Sequence, residues 1–194
     1  MHELIQRVEG WGAPRIALVG DFMLDRYVYG SVERINPEAP VPVLQATRTE
    51  TRVGGTGNVA VAALALGAQV ACVGAIGDDD AGKELGDLLM VAGAQTPNLL
   101  RLPERPTPVK TRYVGLAQHR NAQQMLRVDT ESIDPLGAGP QVTLRGGARA
   151  AFADADIVVL EDYNKGLLDD RLTPELISDA RRAGRAVLVD PACI

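Results

Sequence analysis

Two cysteines, one tryptophan, two phenylalanines and three lysines mark what this 194-residue sequence has least of. Cys72 lies inside an apolar run and Cys193 next to the last residue, which excludes a disulfide framework and fits a reducing compartment. The one long uncharged run, residues 53–77, is broken by glycines and by Asn58 and Gln69, so no membrane span is expected. The opening MHELIQRVEGWG carries Glu3 and Glu9 where a signal peptide would have its apolar core. A cytoplasmic chain is expected. Acids and bases are interspersed and the net charge is -5, so neither nucleic acid nor anionic membrane finds an electrostatic footprint, and a small-molecule partner is expected. With aromatics at 4%, the core has to be built from Ala, Val, Leu and Ile.

Several chemical signatures are missing as well. The first strand is followed by GDFMLD, not by the G-x-G-x-x-G of a dinucleotide site, which disfavours a nicotinamide oxidoreductase. There is no G-x-x-x-x-G-K-[ST] loop, no G-x-S-x-G elbow and no metal-spaced Cys/His cluster. His2 and His119 fall at the chain start and at a hairpin tip, where surface positions are expected.

What remains is an alternation. RIALVGD (15–21), QVACVGAIG (69–77), DIVVLED (156–162) and AVLVDP (186–191) are apolar runs of strand length. Between them, GNVAVAALALGA (57–68) is a helix stopped by Gly67, and DDDAGKELGDLLMVAGA (78–94) is a helix with acids at its start, Asp78 being the expected cap. A further helix around 140–153 is weakened by Gly146-Gly147, and TPELISDARRAG (173–184) has Thr173 as cap, Pro174 in the first turn and Gly184 past the end. Residues 106–129 differ: two alternating runs flank the polar tip QHRN and predict a β-hairpin. Continuous apolar strands alternating with helices predict an α/β fold with a parallel sheet covered on both faces, and the length suits one domain.

The strands end in Asp21, Gly77-Asp78, Asp162 and Asp190, at the edge where open α/β sheets bind ligands. Carboxylates there suit a polyhydroxylated ligand or Mg2+. RVGGTGN (52–58) lies at a helix start, where consecutive glycines let backbone N–H groups approach a ligand.

GDFMLDRY, INPEAPVPV, GGTGNVAVAALALGA, TPVKTRY with QQMLRVD, and EDYNKG together resemble the ribokinase-type (PfkB) carbohydrate kinases. Within them the chain is most similar to the D-glycero-β-D-manno-heptose 7-phosphate kinases of lipopolysaccharide core synthesis, which exist alone or fused to an adenylyltransferase. The resemblance implies a ribokinase-like three-layer α/β/α fold with a small β-lid, its segments about 26–50 and 106–129 inserted into a domain that residues 1–194 fill only in part. It also implies a homodimer pairing through that lid, with ATP and Mg2+ as cofactors.

Carried over, Asp21 and Asp25 accept sugar hydroxyls, Gly54 and Gly55 offer N–H groups, and Asn58 offers its amide. Lys110, Arg112 and Arg127 face the ligand from the lid, supplying cations for a sugar phosphate. Asp162, Lys165 and Asp190 lie on the phosphate-transfer side. The family's G-A-G-D-type loop, with its catalytic Asp, and its N-x-x-E motif have no counterpart: DPLGAGP (134–140) has Pro140 in place of the base and reads as a plain turn. No catalytic base is therefore expected before Ile194, and the 194 residues are expected to be the sugar-binding part of a longer kinase. Thr56 departs mildly from the family's small residue. Two other readings stay open: a PfkB-type kinase for another sugar or a nucleoside, and a non-catalytic sugar-phosphate-binding module.

Overall fold

The computed structural model describes residues 10, 12–116 and 122–192. Its centre is a parallel sheet of five strands in the order β5-β4-β1-β8-β9, formed by Arg15–Gly20 (β1), Gln69–Gly77 (β4), Gln95–Leu102 (β5), Ile157–Glu161 (β8) and Ala186–Asp190 (β9). Ala17, Leu18 and Val19 of β1 are fully enclosed because strands flank it on both sides and helices cover both faces. Two helices, Thr56–Ala65 (α1) and Asp80–Val91 (α2), close one face over Leu18, Val70, Cys72 and Ile76. Ala138–Asp154 (α3) and Leu172–Arg182 (α4) close the other over Ala17, Val19, Val73 and Val158. The expected α/β/α layering is present.

A second sheet, in the order β3-β2-β6-β7, rises from the first. Its strands are Phe22–Ile35 (β2), Pro42–Gly55 (β3), Val109–Leu116 (β6) and Gln123–Thr130 (β7). β2 follows β1 after the single residue Asp21; Phe22, Met23 and Leu24 are core residues, and only beyond them does the strand enter the lid. The strands β2 and β3 thus run from Phe22 to Gly55, past both ends of the expected 26–50, with their first residues in the core. The hairpin of β6 and β7 is antiparallel, as expected; its tip, with His119, lies outside the described residues, as do His2 and Cys193.

Several local expectations are corrected. Asp79, not Asp78, caps α2: its carboxylate accepts the Gly82 N–H at 2.7 Å. Asp169, not Thr173, serves the start of α4, accepting N–H bonds from Arg171 and Leu172. The DPLGAGP stretch is more than a turn, since it opens α3, which runs unbroken through Gly146-Gly147. Gly147 is accommodated because a Cβ there would stand 3.0 Å from the Asn98 side chain on β5. The stops at Gly67 and Gly184 are as expected, both with positive φ.

Candidate functional site

The floor is built where β1, β2, α1 and β8 meet. Gly20, the last residue of β1, has no room for a side chain: a Cβ would stand 2.2 Å from the Glu161 carbonyl and 2.4 Å from the Thr56 hydroxyl. Asp21 follows, 4% exposed. Its carbonyl accepts the Thr56 N–H at 3.1 Å, which fixes the start of α1. Its carboxylate Oδ2 accepts the N–H groups of Tyr163 (3.0 Å) and Lys165 (3.1 Å). Burial pushes the Asp21 carboxyl above the usual carboxylate range and Asp162 adds to the rise, while the two N–H bonds oppose it.

Gly55 caps α1 with φ +54, a left-handed conformation that favours glycine, and a Cβ on it would meet the Asp21 carbonyl at 2.6 Å. A Cβ on Gly54 would meet Asp25 Oδ2 at 2.8 Å. Asp25 therefore lies against Gly54 and Asp21 against Gly55, and Asn58 is exposed in the first turn of α1. Thr56 is less mild a substitution than its position suggested. Its hydroxyl is enclosed and has no partner among the described residues, a cost of roughly 1–3 kcal/mol.

The lid contributes one wet, charged face. Strand alternation puts Asp25, Tyr27 and Tyr29 on the same side of β2. Across the sheet, Arg52, Asp25, Lys110 and Asp129 stand in one row, and Glu50, Tyr27, Arg112 and Arg127 in the next. Arg112 bonds Asp25 Oδ1 at 2.5 Å and lies over the Tyr27 ring at 5.2 Å. Burial opposes its charge, but the hydrogen bond and charge of Asp25 outweigh that and hold its pKa above the usual value. Arg127 is half exposed and pairs with Asp129 at 2.9 Å. The opposite face of the lid packs on α2, where Glu84 receives Arg26 and Thr51.

On the far side of Asp21, the loop after β8 carries Asp162 and Lys165. Asp162 Oδ1 accepts the Asn164 N–H at 2.7 Å. Lys165 pairs with Glu131 at 2.8 Å. Asp190 ends β9 in register with Glu161, and its carbonyl accepts the Asp162 N–H at 3.0 Å. Among the described residues, no group of three or more acidic, His or Cys side chains is arranged to hold a metal ion.

The structure thus brings Asp25, Gly54, Gly55, Lys110 and Arg112 together, gathers Asp162 and Lys165 beside Asp21 with Asp190 one strand further on, and leaves Arg127 and Asn58 at the rim. Glu161 is the residue that sequence reasoning passed over. It is 6% exposed, next to Gly20 and Thr56, and burial followed by the Asp190 charge raises its pKa. The signal was a charge closing an otherwise apolar strand, VVLE.

Comparison with known proteins adds three findings. Residues 13–191 match the model of the pfkB family of carbohydrate kinases. Among curated proteins, the bifunctional protein HldE of Paramagnetospirillum magneticum is 44% identical over 188 residues, covering 97% of this chain and 38% of the relative. HldE of Mesorhizobium japonicum is 43% identical over 191 residues, covering 98% and 37%. The chain therefore spans well under half the length of these relatives. Among solved structures, Arabidopsis thaliana ribokinase complexed with ribose and ATP superposes with a TM-score of 0.63 at 18% identity, covering 94% of this chain and 55% of that one. Escherichia coli phosphofructokinase-2, in its tetrameric inhibited form, superposes with a TM-score of 0.67 at 19% identity, covering 92% and 55%. At such identities the superpositions speak for the fold alone. No helix among the described residues is long and apolar enough to cross a membrane.

Proposed function

This chain belongs to the pfkB family of carbohydrate kinases, and we propose that the protein carrying it transfers the γ-phosphoryl group of ATP to the C1 hydroxyl of D-glycero-D-manno-heptose 7-phosphate. The observation that carries this reading is the lid row in which Asp25 stands beside Lys110, with one carboxylate oxygen bonded by Arg112 and the other against Gly54. A sugar phosphate needs both kinds of group: carboxylate and N–H for hydroxyls, and cations for the phosphate. Lys110, Arg112 and Arg127 supply the cations, while Asp25, Gly54, Gly55 and Asn58 hold the sugar. Asp21 works mainly by orienting the backbone around it.

In the transfer, the C1 oxygen bonds to the γ-phosphorus, the bond to the β–γ bridging oxygen breaks, ADP leaves, and the hydroxyl proton passes to a base. Positioning and charge stabilisation do most of the work in such reactions. The reading assigns positioning to this chain: Asp162, Lys165 and Asp190 face the incoming phosphoryl side, and the base is the Asp of the family's G-A-G-D-type loop. The bifunctional naming of the relatives and the INPEAPVPV and EDYNKG motifs support the heptose substrate over other sugars. With ATP as donor and Cys72 as a buried thiol, the reading places the protein in the cytoplasm.

The reading includes a homodimer. Met125, Leu126 and Val128 of β7 are exposed, and Val41, Pro42, Leu44 and Tyr113 line an apolar cleft with the first two of them. A second lid would cover these groups and the exposed β7 edge.

The test is ATP consumption with D-glycero-D-manno-heptose 7-phosphate, for the 194-residue chain and for the protein expressed from its natural reading frame. Turnover by the longer form, negligible turnover by the shorter, and phosphate on C1 are expected. Equal turnover on a hexose phosphate or a nucleoside, unaffected by Arg112→Gln, would overturn the substrate assignment.

A further inference from the structure

Arg105 lies outside the strands, in the connection between β5 and β6, and its guanidinium bonds to backbone carbonyls alone. Nη1 donates to the Asp134 carbonyl at 2.7 Å, and Nη2 donates to the carbonyls of Ser132 (2.9 Å) and Lys165. These acceptors come from two different segments. Residues 131–137 lead from lid strand β7 into α3, and residues 162–168 form the loop that carries Asp162 and Lys165.

The anchor itself is fixed. Two residues on, Thr107 donates its N–H to Asp79 Oδ2 (2.9 Å) and its hydroxyl to Asp79 Oδ1 (2.6 Å), and accepts the Gly77 N–H at 2.8 Å. The root of β6 is thereby tied to the turn between β4 and α2. The two segments that Arg105 joins are also pressed together: a Cβ on Gly166 would stand 2.2 Å from the Asp134 carbonyl, and the Leu136 N–H donates to the Gly166 carbonyl at 3.2 Å. Lys165 is the shared point. Its N–H is held by Asp21 in the floor, its carbonyl by Arg105, and its ammonium by Glu131 at the root of β7.

We propose that Arg105 is a positioning residue, a clasp that sets the roots of the lid-hairpin strands β6 and β7 and the 162–168 loop as one unit, so that the sugar side and the phosphate-transfer side of the cleft are held in a single relative placement. A guanidinium spreads its donors over a rigid plane that reaches three carbonyls of two segments, whereas lysine has all three of its donors on one atom at the end of a flexible stem. The kinetic part of the proposal rests on the kinase reading above; the structural part does not.

The experiment compares Arg105→Ala and Arg105→Lys with the parent protein, expressed from its natural reading frame, by amide hydrogen exchange and by kinetics with the sugar phosphate. In both variants, exchange at 131–136 and at 162–168 rises together by about tenfold, while β1 and β4 keep their protection. The KM for the sugar phosphate rises about tenfold, whereas a merely structural loss would lower the active fraction and leave KM in place. Exchange confined to 103–107, an unchanged KM, or full rescue by Arg105→Lys would overturn the proposal. A parent that phosphorylates no sugar phosphate would remove the kinase reading and leave the exchange comparison to decide the clasp.

Discussion

In the core sheet, β1 presents Ala17, Leu18 and Val19 with no solvent on either face, whereas β7 of the lid is exposed along its whole length. A strand enclosed on both faces can offer chemistry only where it stops, which is why Asp21 and Asp162 stand at strand ends; Asp190 also ends a strand, although β9 is mostly exposed. A strand wet on one face can offer it along its length, and Asp25, Lys110, Arg112 and Arg127 lie at mid-strand. The two sheets also differ in how completely their charges are matched. Behind the core sheet, Asp179 of α4 is met by Arg145, Arg149 and Arg182 at once. In the lid, among the described residues, Asp25 is met by Arg112 alone, leaving it oxygen to offer a ligand.

Stability should therefore depend on the core and binding on the lid. The largest effect is expected from Phe22→Ala, which empties a fully buried position where β2 leaves the core: a loss of about 3–5 kcal/mol in denaturant unfolding. A loss below 1 kcal/mol would break the contrast.

Asp179→Asn comes next, at about 2–3 kcal/mol, below the 3–5 typical of a buried pair because Arg149 and Arg182 are more than half exposed. The hydrogen bond from Arg145, followed by those from Arg149, holds the Asp179 carboxyl well below the usual carboxylate range against the opposing effect of burial. Its folded pKa is thus lower than its unfolded one. The stabilisation is complete above the ordinary carboxylate value near 4 and is lost as pH falls through the folded value. Unfolding midpoints measured from pH 7 downward should drop below about pH 4 in the parent and flatten there in Asp179→Asn. Asp21 and Glu161 work with the opposite sign: their raised pKa values make protonation favour the folded state as pH falls through them.

Arg112→Gln should change stability by less than about 1 kcal/mol, since its partner stays within reach of water. Calorimetry should nevertheless show sugar-phosphate affinity falling at least about tenfold. The smallest effect on the monomer is expected from Leu126→Ser, within about 0.5 kcal/mol. Sedimentation should show that same change lowering the dimer fraction, and an undiminished dimer would move the contact away from the lid.

The same contrast explains what could be read in advance. β4 was legible to the residue because QVACVGAIG is unbroken by polarity, and β8 and β9 were nearly so. β5 was not, because QTPNLLRL contains Pro97 and Asn98; it is an edge strand that meets β4 through a register shift, where such residues are tolerated. β2 is harder to place, because the resemblance starts the lid at about residue 26, whereas the strand begins at Phe22 and its first residues, Phe22, Met23 and Leu24, are enclosed in the core. The α4 cap was misplaced because two candidates four residues apart, Asp169 and Thr173, both suit a helix start, and only the approach of the preceding loop decides between them. In the site, the motif residues are those that the family resemblance points to. Arg105, Glu131 and Glu161 were not, because their significance lies in contacts 27 or more residues away for the first two, and in the crowding around Gly20 for the third.

β2 runs for 14 residues without interruption, from Phe22 beneath the site to Ile35 at the far end of the lid, roughly 46 Å of extended chain. Floor and lid therefore share one continuous beam, and no flexible joint separates them. Its irregularities, between Tyr29 and Gly30 and between Val32 and Arg34, lie beyond Asp25 and Tyr27. Bending is concentrated in the outer half, like a springboard clamped at its base. Substitutions near the tip can thus alter how the lid meets its surroundings while the spacing between Asp25 and the glycines stays as it is.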